Sequence, residues 1–365
     1  MGDFSRWIEK ENCFSKHEEI KSRLFFGRPS GIESEICIFI PTYKRAETLK
    51  AALESAIKQN TGEQYEIIVL DNDNEANTQT ETLMKKYCSI YDNVLYYKNE
   101  KNIGMFGNWN RGFEITKARW VAMLHDDDIL YPQYLDEVLK CIKQHDCGLI
   151  SVFSEFMESS NDKVVVTDMC KGQNKFKAII SGITKGKTLK IDLSDSYRSV
   201  TATPTACVYK RAAVMDCGGF NDEYFPIADI ALFDKMTYYY GTVIIPQFLA
   251  VRRIGENEMK NVLLDCTKNS KALLREIQKK LYGQNRKRWI ADYGAAVNHL
   301  IFLSEKYDST VDIEKALKEN GLPAFWSHVP KIINQMILGY FWLRVLIKNK
   351  RRISYGKRGT NKKIS

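Results

Sequence analysis

From residue 35 to residue 145 the sequence repeats one pattern four times: a short apolar run, a polar turn, then a segment with apolar residues at helical spacing. "EICIFIPTY" (35–43), "YEIIVLDN" (65–72), "NVLYYK" (93–98) and "RWVAMLH" (119–125) read as buried strands. The segments 46–59, 76–88, 104–118 and 132–145 read as the helices between and after them. Strands separated by helices are joined by crossovers rather than hairpins, so the pattern predicts an α/β fold with a doubly wound, mostly parallel, Rossmann-like sheet. Such a sheet places a ligand outside the carboxyl ends of its strands.

That edge is where the polar residues collect. Thr42-Tyr43 ends the first strand, Asp71-Asn72-Asp73 the second, and His125-Asp126-Asp127-Asp128 the fourth. Three adjacent carboxylates repel one another and are costly to bury without a counter-charge. A hard divalent cation such as Mg2+ or Mn2+ removes the repulsion and can bridge to a diphosphate. An acidic turn capping the helix at Pro132 is the alternative, but the position beside two other polar strand ends favours a site. The turn after the first strand carries neither G-x-x-x-x-G-K-[ST] nor G-x-G-x-x-G. A phosphate would therefore be held through metal, and a dinucleotide fold is disfavoured.

Beyond this block, residues 1–34 are expected to be an N-terminal helical extension. Residues 148–158 suggest a further strand, 159–200 a long loop or insertion near the site, and 242–254 one or two strands. The pattern is helical from Met259 onward. The expected organisation is an extension (1–34), an α/β domain (35–258), a helical region (259–347) and a basic tail (348–365). The net charge of +9 has its source in that tail: residues 344–365 contain nine Lys/Arg and no Asp/Glu. The body is balanced, which argues against nucleic acid as a partner.

Nine cysteines are scattered without a C-x-x-C pair and read as reduced thiols of a cytoplasmic protein. The first residues lack an apolar signal core, and Arg6 stands where myristoylation requires Ser or Thr. Lys331 and Arg344 bracket twelve uncharged residues, too few to span a bilayer. This stretch is either an in-plane amphipathic helix whose basic end holds the protein peripherally at an anionic membrane, or a core helix with a loose tail.

The segments "ICIFIPTYKRAETLKAALESAIKQN", "YEIIVLDNDN", "NIGMFGNWNRGFEITKARWVAMLHDDDILYPQYL" and "GGFNDEYFPIADIALF", in this order, resemble family 2 glycosyltransferases of the GT-A fold over about residues 35–255. The resemblance implies a nucleotide-diphosphate sugar donor, a divalent metal (Mn2+ or Mg2+) at a D-x-D-like motif, and inverting transfer with an Asp or Glu base. Thr42 and Tyr43 match the strand end that flanks the nucleotide base, and Arg45 joins the donor-binding set. Asn72 stands where the family's base-reading Asp is usual, between Asp71 and Asp73, so the resemblance leaves the base as uridine, deoxythymidine or guanosine. Asn102, Gly104 and the segment Asn108 to Asn110 match the stretch beneath the nucleotide. His125 replaces the first Asp of the acidic motif; Asp127 matches the metal ligand, with Asp128 beside it as a second ligand and Asp126 on the donor side. Asp229 matches the catalytic base, with Ala228 in place of the preceding Glu.

Residue chemistry supports the same assignment. An acceptor hydroxyl needs a general base, and that base must lie across the site from the metal-bound diphosphate, so it should come from a distant segment. Asp229 follows an aromatic, glycine-containing turn; its structural alternative is an N-cap, and Asp222 and Glu223 are its nearest rivals. Arg252 and Arg253 would contact diphosphate oxygens or form surface salt bridges. The acceptor is expected to be a lipid-linked or growing bacterial surface glycan, as in capsule or O-antigen assembly. Two other readings stay in view. A nucleotidyltransferase would need a Gly-rich basic loop after the first strand, which "PTYKRAET" lacks. A non-catalytic sugar-nucleotide-binding homologue would account for the His125 and Ala228 replacements.

Overall fold

A computed structural model describes residues 3–31, 34–158, 177–198, 205–254, 259–283, 288–301 and 310–360. The four apolar runs become β2 (Ile36–Thr42), β3 (Tyr65–Asp71), β4 (Val94–Asn99) and β5 (Trp120–Met123). The segments between and after them become α1 (Ala46–Ile57), α2 (Gln79–Ile90), α3 (Gly104–Ile115) and α4 (Tyr134–Gln144). The side-chain alternation of a strand sends β2 into two cores at once. Ile36, Ile38 and Ile40 pack on the face of α1 with Leu49, Ala52 and Leu53. Cys37 and Phe39 pack on the other face, with Phe106 and Phe113 of α3. The second contact is close: a Cβ on Gly112 would sit 2.2 Å from the Phe39 ring.

β4, β3, β2 and β5 are neighbours in that order and mutually parallel. Their register aligns Thr42 with Asp71 and Asp71 with Lys98, so the polar ends share one edge. The sheet then continues through β9 (Val208–Lys210), antiparallel to β5, to β7 (Leu149–Glu158) and β10 (Thr242–Ile254). β7 and β10 are parallel to each other. The one-or-two-strand expectation for 242–254 resolves to a single strand whose register skips between Ile245 and Phe248 and again before Ala250. Pro246 has no N–H for the ladder, so a bulge there is the physical outcome. Two short strands pair with β10, β6 (Ile129–Leu130) and β8 (Leu189–Ile191), the latter inside the stretch expected to be loop. Residues 159–176 and 199–200 of that stretch lie outside the described residues.

The expected N-terminal helical extension is corrected. It contains two 3-10 turns (Phe4–Arg6, Phe14–His17) and β1 (Ser22–Phe26), which adds antiparallel to the free edge of β4. Helical spacing lasts one turn only (Phe4, Trp7, Ile8) before the polar run Glu9 to Asn12, and Phe4, Trp7 and Phe14 are buried against the body. The Cys13 N–H donates to Gly218 O at 2.9 Å. Gly218 has φ +87°, and a Cβ there would meet the Glu11 carbonyl oxygen, so only glycine fits.

The helical C-terminal region includes α6 (Met259–Tyr282) and α7 (Lys331–Thr360); α5 (Ala228–Tyr240) precedes β10. Phe341 and Val345 of α7 are buried in the core. Asn349 clamps the helix to β8, accepting from the Lys190 N–H at 2.8 Å and donating to Lys190 O at 3.0 Å. The stretch expected as a basic tail is therefore helical as far as Thr360; residues 361–365 lie outside the described residues.

Candidate active site

The Asp triplet leaves β5 in a tight turn, closed by the Asp128 N–H on His125 O at 3.1 Å. The turn sends its side chains in different directions. Asp126 points back to β2, accepting from the Thr42 hydroxyl at 2.8 Å and facing Arg45 at 3.4 Å. Arg45 also reaches Asp127 at 3.2 Å. Asp128 points toward β10 and β9, accepting from the Arg253 N–H at 2.7 Å and from the Thr205 hydroxyl. Burial pushes the Asp126 carboxyl up to about 6 and the Asp128 carboxyl up to about 7, and the Asp127 charge adds to both.

His125, Asp127 and Asp128 place one ligand atom each within 4.8 Å of one another. Among the described residues the buried His125 Nε2 has no hydrogen-bond partner, and its ring stacks on Trp109 at 5.2 Å between centroids. Burial lowers the His125 pKa to about 4, so the imidazole is neutral at neutral pH, the form that ligates metal. One neutral imidazole and two carboxylates are donors that fit a divalent cation, Mn2+ better than Mg2+ because of the nitrogen. Sequence reasoning treated His125 only as a departure from an acidic motif; its geometry makes it a candidate ligand.

The second strand end is a hydrogen-bond hub. Asn72 donates to Asn102 Oδ1 at 2.8 Å and to Gly104 O at 3.2 Å, and accepts from Asn99 at 2.9 Å and from the Ile103 N–H at 3.0 Å. Asn99 also donates to Asn108 at 2.8 Å, and Asn108 donates to Leu70 O at 3.3 Å. Asn108 is thus buried beneath the edge, where it braces the network. Asp71 accepts from the Tyr96 hydroxyl at 2.7 Å and from the Asp73 N–H at 2.9 Å; burial nevertheless raises its pKa to about 6. Gly104 opens α3 at φ +73°, a conformation that glycine adopts without strain. Tyr43 is exposed beside this edge, with the Lys44 ammonium 5.6 Å from its ring.

Asp229 lies in the first turn of α5, two residues past the N-cap Ile227, so the N-cap alternative does not hold. Its carboxylate accepts from the Ile230 N–H at 2.8 Å. Burial raises its pKa to about 6, against the Ile230 hydrogen bond and the Arg252 charge, which lower it. Arg252 is also among the charges acting on Asp128 and His125. One guanidinium therefore lies within electrostatic reach of both the acidic turn and Asp229, which are about a hundred residues apart in sequence. Arg253, its strand neighbour, faces the other way and donates from Nε to Asp127 O at 3.1 Å. The rivals lie elsewhere: Asp222 pairs with Lys16 on the surface and Glu223 is exposed. The loop before Asp229 is held from the C-terminal region, by Asn269 of α6 donating to Phe225 O at 2.7 Å.

A model of the family described as "Glycosyl transferase family 2" matches residues 37–218, about half of the chain. The chain belongs to glycosyltransferase family 2. An uncharacterized glycosyltransferase of Methanocaldococcus jannaschii is 28% identical over 40% of this chain and 49% of its own length. The poly(ribitol-phosphate) beta-N-acetylglucosaminyltransferase TarP of Staphylococcus aureus is 26% identical over 32% of this chain and 35% of its own. The chain thus spans about half or less of the length of these two relatives. The crystal structure of S. aureus TarS residues 1–349 in complex with UDP-GlcNAc superposes with a TM-score of 0.53 at 16% identity, covering 89% of this chain and 92% of that one. The glycosyltransferase fold of the GT-A type is therefore shared. Sequence reasoning missed Thr205, Tyr96 and Asn99 in this glycosyltransferase. Tyr96 and Asn99 sit near the carboxyl end of a strand and were open to the same rule that found Asn72; Thr205 carries no local signal.

Proposed function

We propose that this glycosyltransferase moves a sugar from a nucleoside-diphosphate sugar to an acceptor hydroxyl with inversion at the anomeric carbon. The observation that carries the reading is the placement of Arg252 in the field of both the His125–Asp127–Asp128 group and Asp229. Leaving-group charge and acceptor proton would thus be handled on two sides of one mouth. Residues 35–258 would form the transfer unit, with 259–347 bracing it.

Thr42, Tyr43, Asp71, Asn72 and Asp73 would receive the nucleoside, with Asn102 and Gly104 fixing the floor and Asn108 bracing it. Arg45 and Asp126 would position the acidic turn. His125, Asp127 and Asp128 would hold a divalent cation, Mn2+ or Mg2+, which when bound supplies positive charge to a leaving diphosphate. Arg252 would add a second positive charge to the same oxygens. Arg253 would hold the turn rather than the diphosphate. Asp229 would take the proton of the acceptor hydroxyl as the oxygen attacks from the face opposite the leaving group; one displacement inverts the centre.

The TarS structure is a complex with UDP-GlcNAc, and TarP is named a poly(ribitol-phosphate) beta-N-acetylglucosaminyltransferase. A uridine donor and a surface-glycan or lipid-linked acceptor are therefore the first to try, at the cytoplasmic face of a membrane. The test is product analysis of a panel of sugar nucleotides with Mn2+. Transfer or slow hydrolysis of one donor, with inversion, supports the reading. Turnover of a nucleoside triphosphate with a sugar phosphate would support a nucleotidyltransferase instead, and binding without turnover of any donor a non-catalytic homologue.

A further inference from the structure

A chain of aromatic rings leads from the candidate metal group to the surface. His125 stacks on Trp109 at 5.2 Å between centroids, Trp109 meets Phe106 at 5.2 Å, and Phe106 meets Phe225 at 6.4 Å with the two rings inclined at 65°. Trp109 and Phe106 are buried, whereas Phe225 is 45% exposed. A single exposed aromatic is ordinary on a protein surface; what distinguishes Phe225 is its position.

Two elements fix that position. Phe106 lies in the first turn of α3, two residues after Gly104, so its ring contact ties Phe225 to the floor proposed for the donor. On the other side, one face of α6 meets both Phe225 and the proposed base. Asn269 donates to Phe225 O at 2.7 Å, and the Asp229 charge acts on the thiol of Cys266, three residues earlier on the same helix face. Phe225 and Asp229 are thus served by neighbouring turns of α6. The Phe225 N–H also donates to Asp222 O at 3.0 Å, so both backbone polar groups are held and the ring is presented in a fixed place.

An acceptor hydroxyl that reaches Asp229 brings the rest of its molecule past this ring. The face of an aromatic ring is electron-rich. A pyranose offers a matching surface: its axial C–H bonds line one face with weakly positive hydrogens, while its equatorial hydroxyls project from the rim. Such a sugar can lie on Phe225 and still direct a rim hydroxyl to a base one turn away. An open-chain polyol has no such face.

We infer that Phe225 is a stacking platform for the acceptor, and that the acceptor presents a pyranose ring with one apolar face. This rests on the transferase reading above, but its test needs no sugar donor and no turnover. The probe is methyl β-D-glucopyranoside, whose H1, H3 and H5 share one face, with open-chain glucitol as the control. Saturation-transfer NMR on the full chain, irradiating aromatic protons with and without UDP and Mn2+, reads which probe protons touch a ring. Transfer should be strongest at H1, H3 and H5, and weak for glucitol. Phe225→Leu keeps an apolar side chain but removes the ring face, so transfer to those protons should fall by roughly threefold or more. Phe225→Trp should retain it, a distinction that a purely structural role would not make. Unchanged melting temperature and unchanged UDP affinity in both variants exclude damage to the fold or to the donor side, and the comparison of glycoside with glucitol needs no variant. Glucitol saturated as strongly as the glycoside, no glycoside binding under either condition, wild-type transfer in Phe225→Leu, or equal loss in Phe225→Leu and Phe225→Trp would overturn the inference. A wild type that binds the glycoside through Phe225 yet transfers no sugar would sink the transferase reading alone.

Discussion

The two sides of the mouth are built differently. On the side of β2, β3 and β5, nearly every polar group has a fixed partner: Asn72 makes four hydrogen bonds, Asp126 is held by Thr42 and Arg45, and Asp128 by Thr205 and the Arg253 backbone. On the α5 side, Asp229 has the N–H next to it and the charge of Arg252. A saturated network is rigid, and it suits recognition of a ligand whose shape does not change. A carboxylate with few partners and a raised pKa suits a proton acceptor. Under the proposed function, the difference would make binding and proton transfer separable.

The largest expected break is at Asp229. Asp229→Asn keeps size but cannot accept the proton, so transfer should fall by roughly 10²–10⁴-fold. In the wild type, transfer should also fall as pH drops through about 6, where the Asp229 carboxyl becomes protonated. A pH–rate profile flat from 5 to 8 would contradict its role.

Asn72→Ala probes the rigid side. It removes four hydrogen bonds and leaves the buried Ile103 N–H without its partner, while Asn99 keeps Asn108 and Asn102 keeps the Gly104 N–H, which should cost about 1–3 kcal/mol of stability. Denaturant unfolding reads this directly, and donor affinity should fall with it.

The same comparison predicts an opposite sign for stability at Asp229. Its folded pKa is raised from 3.8 to about 6. The stability that comes from keeping it neutral is present below 3.8 and is lost as pH rises through about 6. Above that pH, burial of the charge is a cost, so Asp229→Asn should be more stable than wild type by on the order of 1–3 kcal/mol at pH 8, with little difference at pH 4. Paired melting curves at the two pH values check it. The smallest expected effect is at Asp222→Asn, which removes one exposed pair with Lys16 and should change stability by no more than about 1 kcal/mol, and transfer negligibly.

What was legible in the sequence follows the same division. The parallel half announces itself, because each of its strands is a continuous apolar run ending in polar residues, and period and punctuation agree. That is why Thr42, Asp71, Asn72 and the acidic turn could be placed on one edge before any coordinates. The other half depends on contacts between distant segments. Thr205 meets Asp128, and Asn269 meets the loop before Asp229, across 77 and 44 residues of chain, and neither has a local pattern. β1 was missed because its pairing is a property of the open edge of β4 rather than of its own residues. The role of α7 was left open for a related reason: its inner and outer faces are both apolar, and only packing tells which is which.

The central claim is that one side of the mouth holds the donor through a metal and the other does not. Isothermal titration of a nucleoside diphosphate panel, with Mn2+ and with EDTA, into wild type, Asp127→Asn and Asp229→Asn tests it most directly. The account predicts metal-dependent binding in the wild type, loss of that dependence in Asp127→Asn, and affinity in Asp229→Asn within about threefold of wild type. Binding unaffected by EDTA and by Asp127→Asn, or equal loss in both variants, would contradict it.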